Sequence, residues 1–128
     1  MKKKVLLLVL VLFLILAIFL SGCCLFENLS ADVVITKWEQ DYSGGKWSDQ
    51  AKVYYKITNT GNVEIGFYNI WFGIYCEDGS VWEDFNTLGL SVDVGHSESR
   101  TCWIDVGSNK KVISVEVTNL KLDYFPNQ

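Results

Sequence analysis

The sequence predicts an all-β antiparallel sandwich of six or seven strands behind an apolar N-terminal helix. Three observations carry that prediction. After residue 30 apolar side chains recur at every second position, no long stretch keeps a helical period, and turn residues interrupt the alternation repeatedly. Length sets the scale: removing the first 22 of the 128 residues leaves 106, enough for one small domain.

The elements follow in order. Met1-Lys2-Lys3-Lys4 precedes an unbroken apolar run, Val5 to Leu20, and then Ser21-Gly22-Cys23-Cys24. A basic start, an apolar stretch and small residues are the marks of an export signal. Leu25 to Ser30 reads as a short tether, with Asn28-Leu29-Ser30 as a glycosylation sequon inside it. Ala31, Val33 and Ile35 begin the first strand, and Asp41 to Asp49 is a polar, glycine-containing loop. Val53, Tyr55 and Ile57 alternate with Lys52, Lys56 and Thr58, the pattern of a half-buried strand that stops at Asn59-Thr60-Gly61-Asn62.

A long strand from Ile65 to Glu77 puts Tyr68, Ile70, Phe72, Ile74 and Cys76 on one face, and Asp78-Gly79 turns the chain. The next strand, from Val81 to about Leu88, alternates weakly, as an edge strand does. After the turn at Val94-Gly95-His96, the strand Ser99 to Val106 aligns Cys102, Ile104 and Val106. Ile113, Val115 and Val117 carry the last clear period. Beyond Thr118-Asn119 the apolar set moves to Leu120, Leu122 and Tyr124, so a bulge or a tight turn must absorb the shift.

Two resemblances sharpen this reading. Leu20-Ser21-Gly22-Cys23 resembles the lipobox of prokaryotic lipoproteins. The likeness implies a lipid thioether on Cys23, cleavage in front of it, and a membrane-anchored mature N-terminus. The chain then divides into a signal peptide (1–22), a lipidated tether (23–30) and a domain (31–125). The alternative is an uncleaved span from Val5 to Phe26, long enough for a bilayer core of roughly 30 Å. Either arrangement places the domain on the outer face of the cell membrane, because the three lysines hold the N-terminus inside. Val53-Tyr54-Tyr55-Lys56-Ile57-Thr58-Asn59-Thr60-Gly61-Asn62, the strand ending at Asp78-Gly79 and Val94-Gly95-His96-Ser97 together resemble FxLYD-type and CARDB-type domains. That resemblance implies a small immunoglobulin-like sandwich of exported prokaryotic proteins. The likeness departs at Val94, which stands where such families often have proline.

Charge and residue types exclude several functions. Loss of Lys2, Lys3 and Lys4 leaves 8 of the 11 basic residues against 15 acidic ones, a net charge of −7. A nucleic-acid partner needs clustered Lys and Arg, so none is expected. A single histidine, His96, in a Gly-Ser turn reads as solvated rather than as a metal ligand. Glu77, Asp78, Glu83, Asp84 and Asp93 lack calcium-loop spacing, and no Gly-x-Ser-x-Gly elbow occurs. No enzyme activity, cofactor or metal is expected. Cys76 and Cys102 share the apolar parity of their strands, which in an exported protein suggests a disulfide, with two buried thiols as the alternative.

The chain carries a surplus of aromatic residues, five of them Trp. Phe67, Trp71 and Tyr75 fall on the strand face opposite to Ile70, Phe72 and Ile74, as a row for binding a protein or stacking a glycan. The loop with Trp47 could instead fold over that row. Trp103 takes the outward parity of its own strand, and Trp38 and Trp82 have no evident place.

Three functions fit: a lipid-anchored, non-catalytic module for protein binding, adhesion or envelope support; a carbohydrate-binding module using the aromatic row; or a site-less accessory lipoprotein of a transport or secretion system. The anchor is directly testable. Cys23→Ser should abolish lipid labelling and leave the precursor uncut. A mutant with wild-type mass and wild-type membrane fractionation would eliminate the lipoprotein assignment.

Overall fold

The computed structural model describes residues 2–22 and 26–125, with no side chains described for 18–22 and 85–88. Helix α1 spans Lys2–Gly22 and is exposed and apolar on all sides from Val5 to Ala17. Of the alternative span from Val5 to Phe26, residues 5–22 belong to α1, and residues 23–25 lie outside the described residues. Among the described residues no helix is long and apolar enough to cross a membrane. Cys23 and Cys24 lie outside the described residues.

Eight strands follow: β1 (Ala31–Glu39), β2 (Tyr42–Ser43), β3 (Lys46–Trp47), β4 (Gln50–Asn59), β5 (Ile65–Cys76), β6 (Val81–Val92), β7 (Ser97–Asp105) and β8 (Val112–Asp123). They form two three-stranded sheets, ordered β1-β4-β7 and β6-β5-β8, and a separate β2-β3 hairpin. Every pairing is antiparallel. The hairpin lies within the segment 41–49, which sequence reasoning read as a loop. Gly44 (φ 58°) and Gly45 (φ 74°) supply the two left-handed residues of its tight turn.

The central strands are the most strictly alternating ones. Val53, Tyr55 and Ile57 of β4 and Tyr68, Ile70, Phe72 and Ile74 of β5 are buried in one shared core. Tyr55 meets Tyr68 edge to face at 6.5 Å and Phe72 at 5.6 Å, so aromatic contact ties the two inner faces together. As the weak alternation suggests, β6 is an edge strand, and it runs on to Val92. A register shift opposite Tyr68–Ile70 changes the parity of β6, so that Phe72 pairs with Asp84 but Tyr68 with Gly89.

In β8 the shift after Val117 is a bulge: Trp71 pairs with Asn119 but Phe72 with Val117, leaving Thr118 over. A second irregularity corrects the sequence reading. Cys76 pairs with Val112 and Tyr75 with Ser114, so Val112 enters the core and Ile113 points out, 55% exposed.

Polar groups close the ends. Asn59 is 2% exposed, and its Nδ2 donates to Val63 O (2.8 Å) and Val92 O (2.9 Å) while its Oδ1 accepts from Gly61 N (3.0 Å). The segment read as a short tether is bonded to the same turn through Asn28 and Ser30. Asn62 N donates to Asn28 O (3.0 Å), and Thr60 N and Gly61 N donate to Ser30 O. Trp38 packs against the core, and the Trp82 ring lies over Gly107, where a Cβ would come within 2.9 Å of it.

Core packing leaves no room at one glycine. A Cβ at Gly89 would sit 1.7 Å from Tyr68 Cζ, inside the ring. Gly89→Ala should therefore cost about 1–3 kcal/mol through overpacking, read as a fall in the urea midpoint. Leu90→Ala, at an outward and 51% exposed position, should cost less than about 0.5 kcal/mol. Equal losses at the two positions would show that the Tyr68 ring does not occupy this space.

Candidate functional site

β5 is the central strand of its sheet, so its inner side chains fill the core and its outer ones lie flanked on both sides. Phe67 is exposed and Trp71 and Tyr75 are half-buried on that outer face, while Tyr68, Ile70, Phe72, Ile74 and Cys76 are buried. The three predicted aromatic residues thus share one surface, spaced four residues apart and so about 13 Å apart along the strand. Between Trp71 and Tyr75 sits Gly73. A Cβ there would meet Thr118 Cγ2 at 2.8 Å and the Tyr75 ring at 3.4 Å, so the glycine forms the floor on which Tyr75 leans.

The flanks differ. On the β6 side, Val81 pairs with Tyr75 and Leu90 with Phe67, and both are exposed. On the β8 side the partners are polar: Ser114 beside Tyr75, Asn119 beside Trp71 and Asp123 beside Phe67. Sequence reasoning missed one member of the face, Phe125. Its ring stands 5.6 Å from Phe67 at 67°, extending the row at its Phe67 end. The available signal was Gly66. A Cβ there would come within 2.2 Å of Phe125 N, so only glycine lets the C-terminal segment cross at this point. Glu27, Glu64, Asp123 and Tyr124 border the groove beside Phe67 and Phe125.

The hairpin does not fold over this row. The Trp47 ring packs tilted against Tyr42 (4.7 Å), Trp47 N donates to Asn109 Oδ1 (3.1 Å), and Lys111 Nζ lies 6.0 Å from the Trp47 ring. Gln40 holds the hairpin to that end of the domain, donating to Ser48 O (2.7 Å) and Lys110 O (2.6 Å) and accepting from Val112 N (2.9 Å).

Trp103, 57% exposed, belongs to the other sheet and a second surface. Lys52 Nζ lies 5.1 Å from its ring and 4.9 Å from the Tyr54 ring, a pair of cation–π contacts. Tyr54 Oη donates to Glu39 Oε1 (2.5 Å), and Lys37 pairs with Glu39 at 2.8 Å. The hydrogen bond from Lys37, with that from Tyr54, holds the Glu39 carboxyl below its ordinary range. These charges satisfy one another on the exposed face and are screened by solvent.

The expected Cys76–Cys102 disulfide is absent, and both residues are free thiols. The two strands lie in opposite sheets, and the cysteines sit at different levels. Cys76 ends β5 opposite Val112, whereas Cys102 pairs with Val53 in mid-strand. A disulfide needs Cα atoms within about 7 Å.

His96 is an exposed turn residue, held through its backbone to Asp93 and Asn59. Asn28 of the sequon is exposed. Asp78 caps its turn: the hydrogen bond from Lys110, with those from Ser80 Oγ (2.5 Å) and Ser80 N (3.0 Å), holds its carboxyl far below the usual range. Among the described residues no group of three His, Cys, Asp or Glu is placed to hold a metal ion.

No protein-family model and no functionally characterised protein matches the sequence. One solved structure, the X-ray structure of the Northeast Structural Genomics Consortium target SoR45, is similar at 11% identity. It covers 71% of this chain and 84% of its own, with a TM-score of 0.38.

The thiols make a direct test. Burial, with a smaller contribution from Asp84, pushes Cys102 up to about 11. The thiolate is the reactive form, so native Cys102 should alkylate slowly at pH 8 and faster as pH rises toward 11. Both Cys76 and Cys102 should label at once after unfolding, resolved by peptide mass. A peptide pair linked through these residues in the native protein would overturn the assignment.

Proposed function

We propose that this protein is a lipid-anchored, non-catalytic immunoglobulin-like module on the outer face of the cell membrane, which binds a protein partner through the outer face of β6-β5-β8. The observation that carries the reading is the row Phe67, Trp71 and Tyr75 on a central strand. It is continued by Phe125, with the exposed apolar Val81 and Leu90 along one flank and polar residues along the other. An aromatic centre with a polar rim is the composition of protein interfaces, whereas a stable monomer seldom leaves such a patch bare.

The order β1-β4-β7 facing β6-β5-β8, with all pairings antiparallel, supports the immunoglobulin-like architecture. It also suits the FxLYD-type and CARDB-type resemblance. The apolar start and Ser21-Gly22-Cys23 support export and lipidation of Cys23. A module of this kind needs no metal or cofactor, because it acts by presenting a surface.

Capture from detergent-solubilised membranes tests the binding face. Trp71→Ala should reduce recovery of the protein partner by about tenfold, as expected when a central aromatic residue is truncated. Trp103→Ala, on the opposite sheet, should leave recovery unchanged. Equal loss from both substitutions in folded protein would reject this face. Binding to a glycan array that depends on Trp71, without any protein partner, would replace the protein reading by the carbohydrate one.

A further inference from the structure

The two open sides of the sandwich differ in chemistry. Where β6 approaches β7, the inner positions of β7 are Glu98, Arg100 and Cys102, which pair with Ile57, Tyr55 and Val53. Glu98 and Arg100 form a 2.8 Å ion pair there, and Asp84 of β6 is half-buried. That side faces water on its own terms. On the other side β1 approaches β8, and the inner positions are apolar throughout: Ala31, Val33 and Ile35 on β1, and Val115, Val117, Leu120 and Leu122 on β8. All seven remain only half-buried.

β8 is also the longest edge of this side. It spans 12 residues, has no proline, and hydrogen-bonds to one strand, β5, among the described residues. A strand edge of this kind presents a row of backbone donors and acceptors to any strand that can lie beside it.

The bulge at Thr118 selects which strand fits. On its N-terminal side the inner residues are Val115 and Val117, and on its C-terminal side they are Leu120 and Leu122. A straight strand cannot match faces on both sides of that shift. A second copy of β8, antiparallel and centred on Thr118-Asn119, can. Thr118 then stands opposite Asn119, Val117 opposite Leu120, and Val115 opposite Leu122, so the apolar faces meet. On the outer face Glu116 falls opposite Lys121, twice by symmetry, and Ser114 opposite Asp123. Sliding the register by two residues one way sets Glu116 against Asp123, a like-charge pair. Sliding it the other way sets Glu116 against Asn119 and leaves Lys121 against Ser114. Only the centred register pairs opposite charges. Glu116 and Lys121 are both exposed, and neither forms an ion pair within the described chain.

We propose that β8 is a self-recognition edge: two copies of this chain pair β8 to β8 about a two-fold axis, joining β6-β5-β8 of each into one six-stranded antiparallel sheet. The pairing sets the two aromatic rows on the same face of that joint sheet. It rests on the edge chemistry of β8 and does not depend on lipidation or on the identity of any partner.

The test is a charge-swap cycle on the full chain in detergent, read by sedimentation velocity. Glu116→Lys and Lys121→Glu each place two like-charge pairs in the seam and should weaken dimerisation by about tenfold or more. E116K/K121E restores opposite signs and should recover the wild-type dimer within about threefold. Circular dichroism checks that all four proteins keep their β spectrum. Hydrogen exchange on the wild-type chain gives an independent readout, with amides of 114–122 slowing as concentration rises. A monomeric wild type would overturn the proposal. So would a dimer indifferent to all the substitutions, as association through α1 would be, or single losses that the double variant does not repair.

Discussion

Tyr68 reaches across the gap between the sheets and meets Tyr55 edge to face, with their hydroxyl oxygens 3.4 Å apart in a dry interior. Much of the domain is arranged around that contact. The two phenols share a hydrogen bond, and among the described residues no buried side-chain polar atom lacks a partner. Burial pushes both hydroxyls above their ordinary ionisation range, so the pair stays neutral further into alkaline pH than exposed tyrosines do. The Tyr68 ring in turn requires Gly89 on β6, because no other residue leaves the ring its volume. With Tyr68, Ile70, Phe72 and Ile74 committed inward, the pleat sends Trp71 and Tyr75 outward. The outer aromatic face is the far side of the core constraint.

The same logic explains why the ends of the domain are polar and ordered. Asn59 interrupts an apolar strand at a buried position, and its amide meets two carbonyls and one N–H that the turn and the end of β6 would otherwise leave unpaired. Each unmet group would cost about 1–3 kcal/mol. Gln40 plays the corresponding part at the opposite end, where one side chain links β1, the hairpin and the start of β8. These two amides fix the connections, while the aromatic core fixes the distance between the layers.

The central strands were legible in the sequence because period-two alternation records burial on one face, and β4 and β5 are buried most completely on theirs. The edge strands were less so. At β8 the parity change after Val117 signalled the bulge at Thr118, but Val112 and Ile113 are both β-branched and apolar. Composition could not say which of them entered the core. The Gly44-Gly45 hairpin stayed hidden because its strands are two residues each, too short for any period. Cys76 and Cys102 had matching parity, but parity reports which face a side chain takes and not its level along the strand. Phe67, Trp71 and Tyr75 were found by parity alone. Phe125 was not, since it lies beyond the last strand and reaches the row only by crossing over Gly66.

The start of the domain constrains how it can be presented. Phe26 O already accepts from Asn62 Nδ2 at 2.8 Å, and Asn28 N donates to Asn62 Oδ1 at 2.6 Å. A Cβ at Gly61 would come within 2.0 Å of Asn28 O, so this glycine lets the incoming strand lie against the turn. Two residues separate Cys23 from Phe26, and an extended chain covers at most roughly 11 Å over that interval. Under the proposed lipidation of Cys23, the Asn59–Asn62 end of the sandwich therefore stands close to the bilayer. Phe67 and Phe125 lie toward this end, since Gly66 and the 124–125 segment meet beside it. Tyr75 and the Tyr42–Trp47 hairpin lie toward the other. The aromatic row then runs outward from the membrane rather than parallel to it, and its Tyr75 end is the part that a partner in solution or on a neighbouring surface meets first.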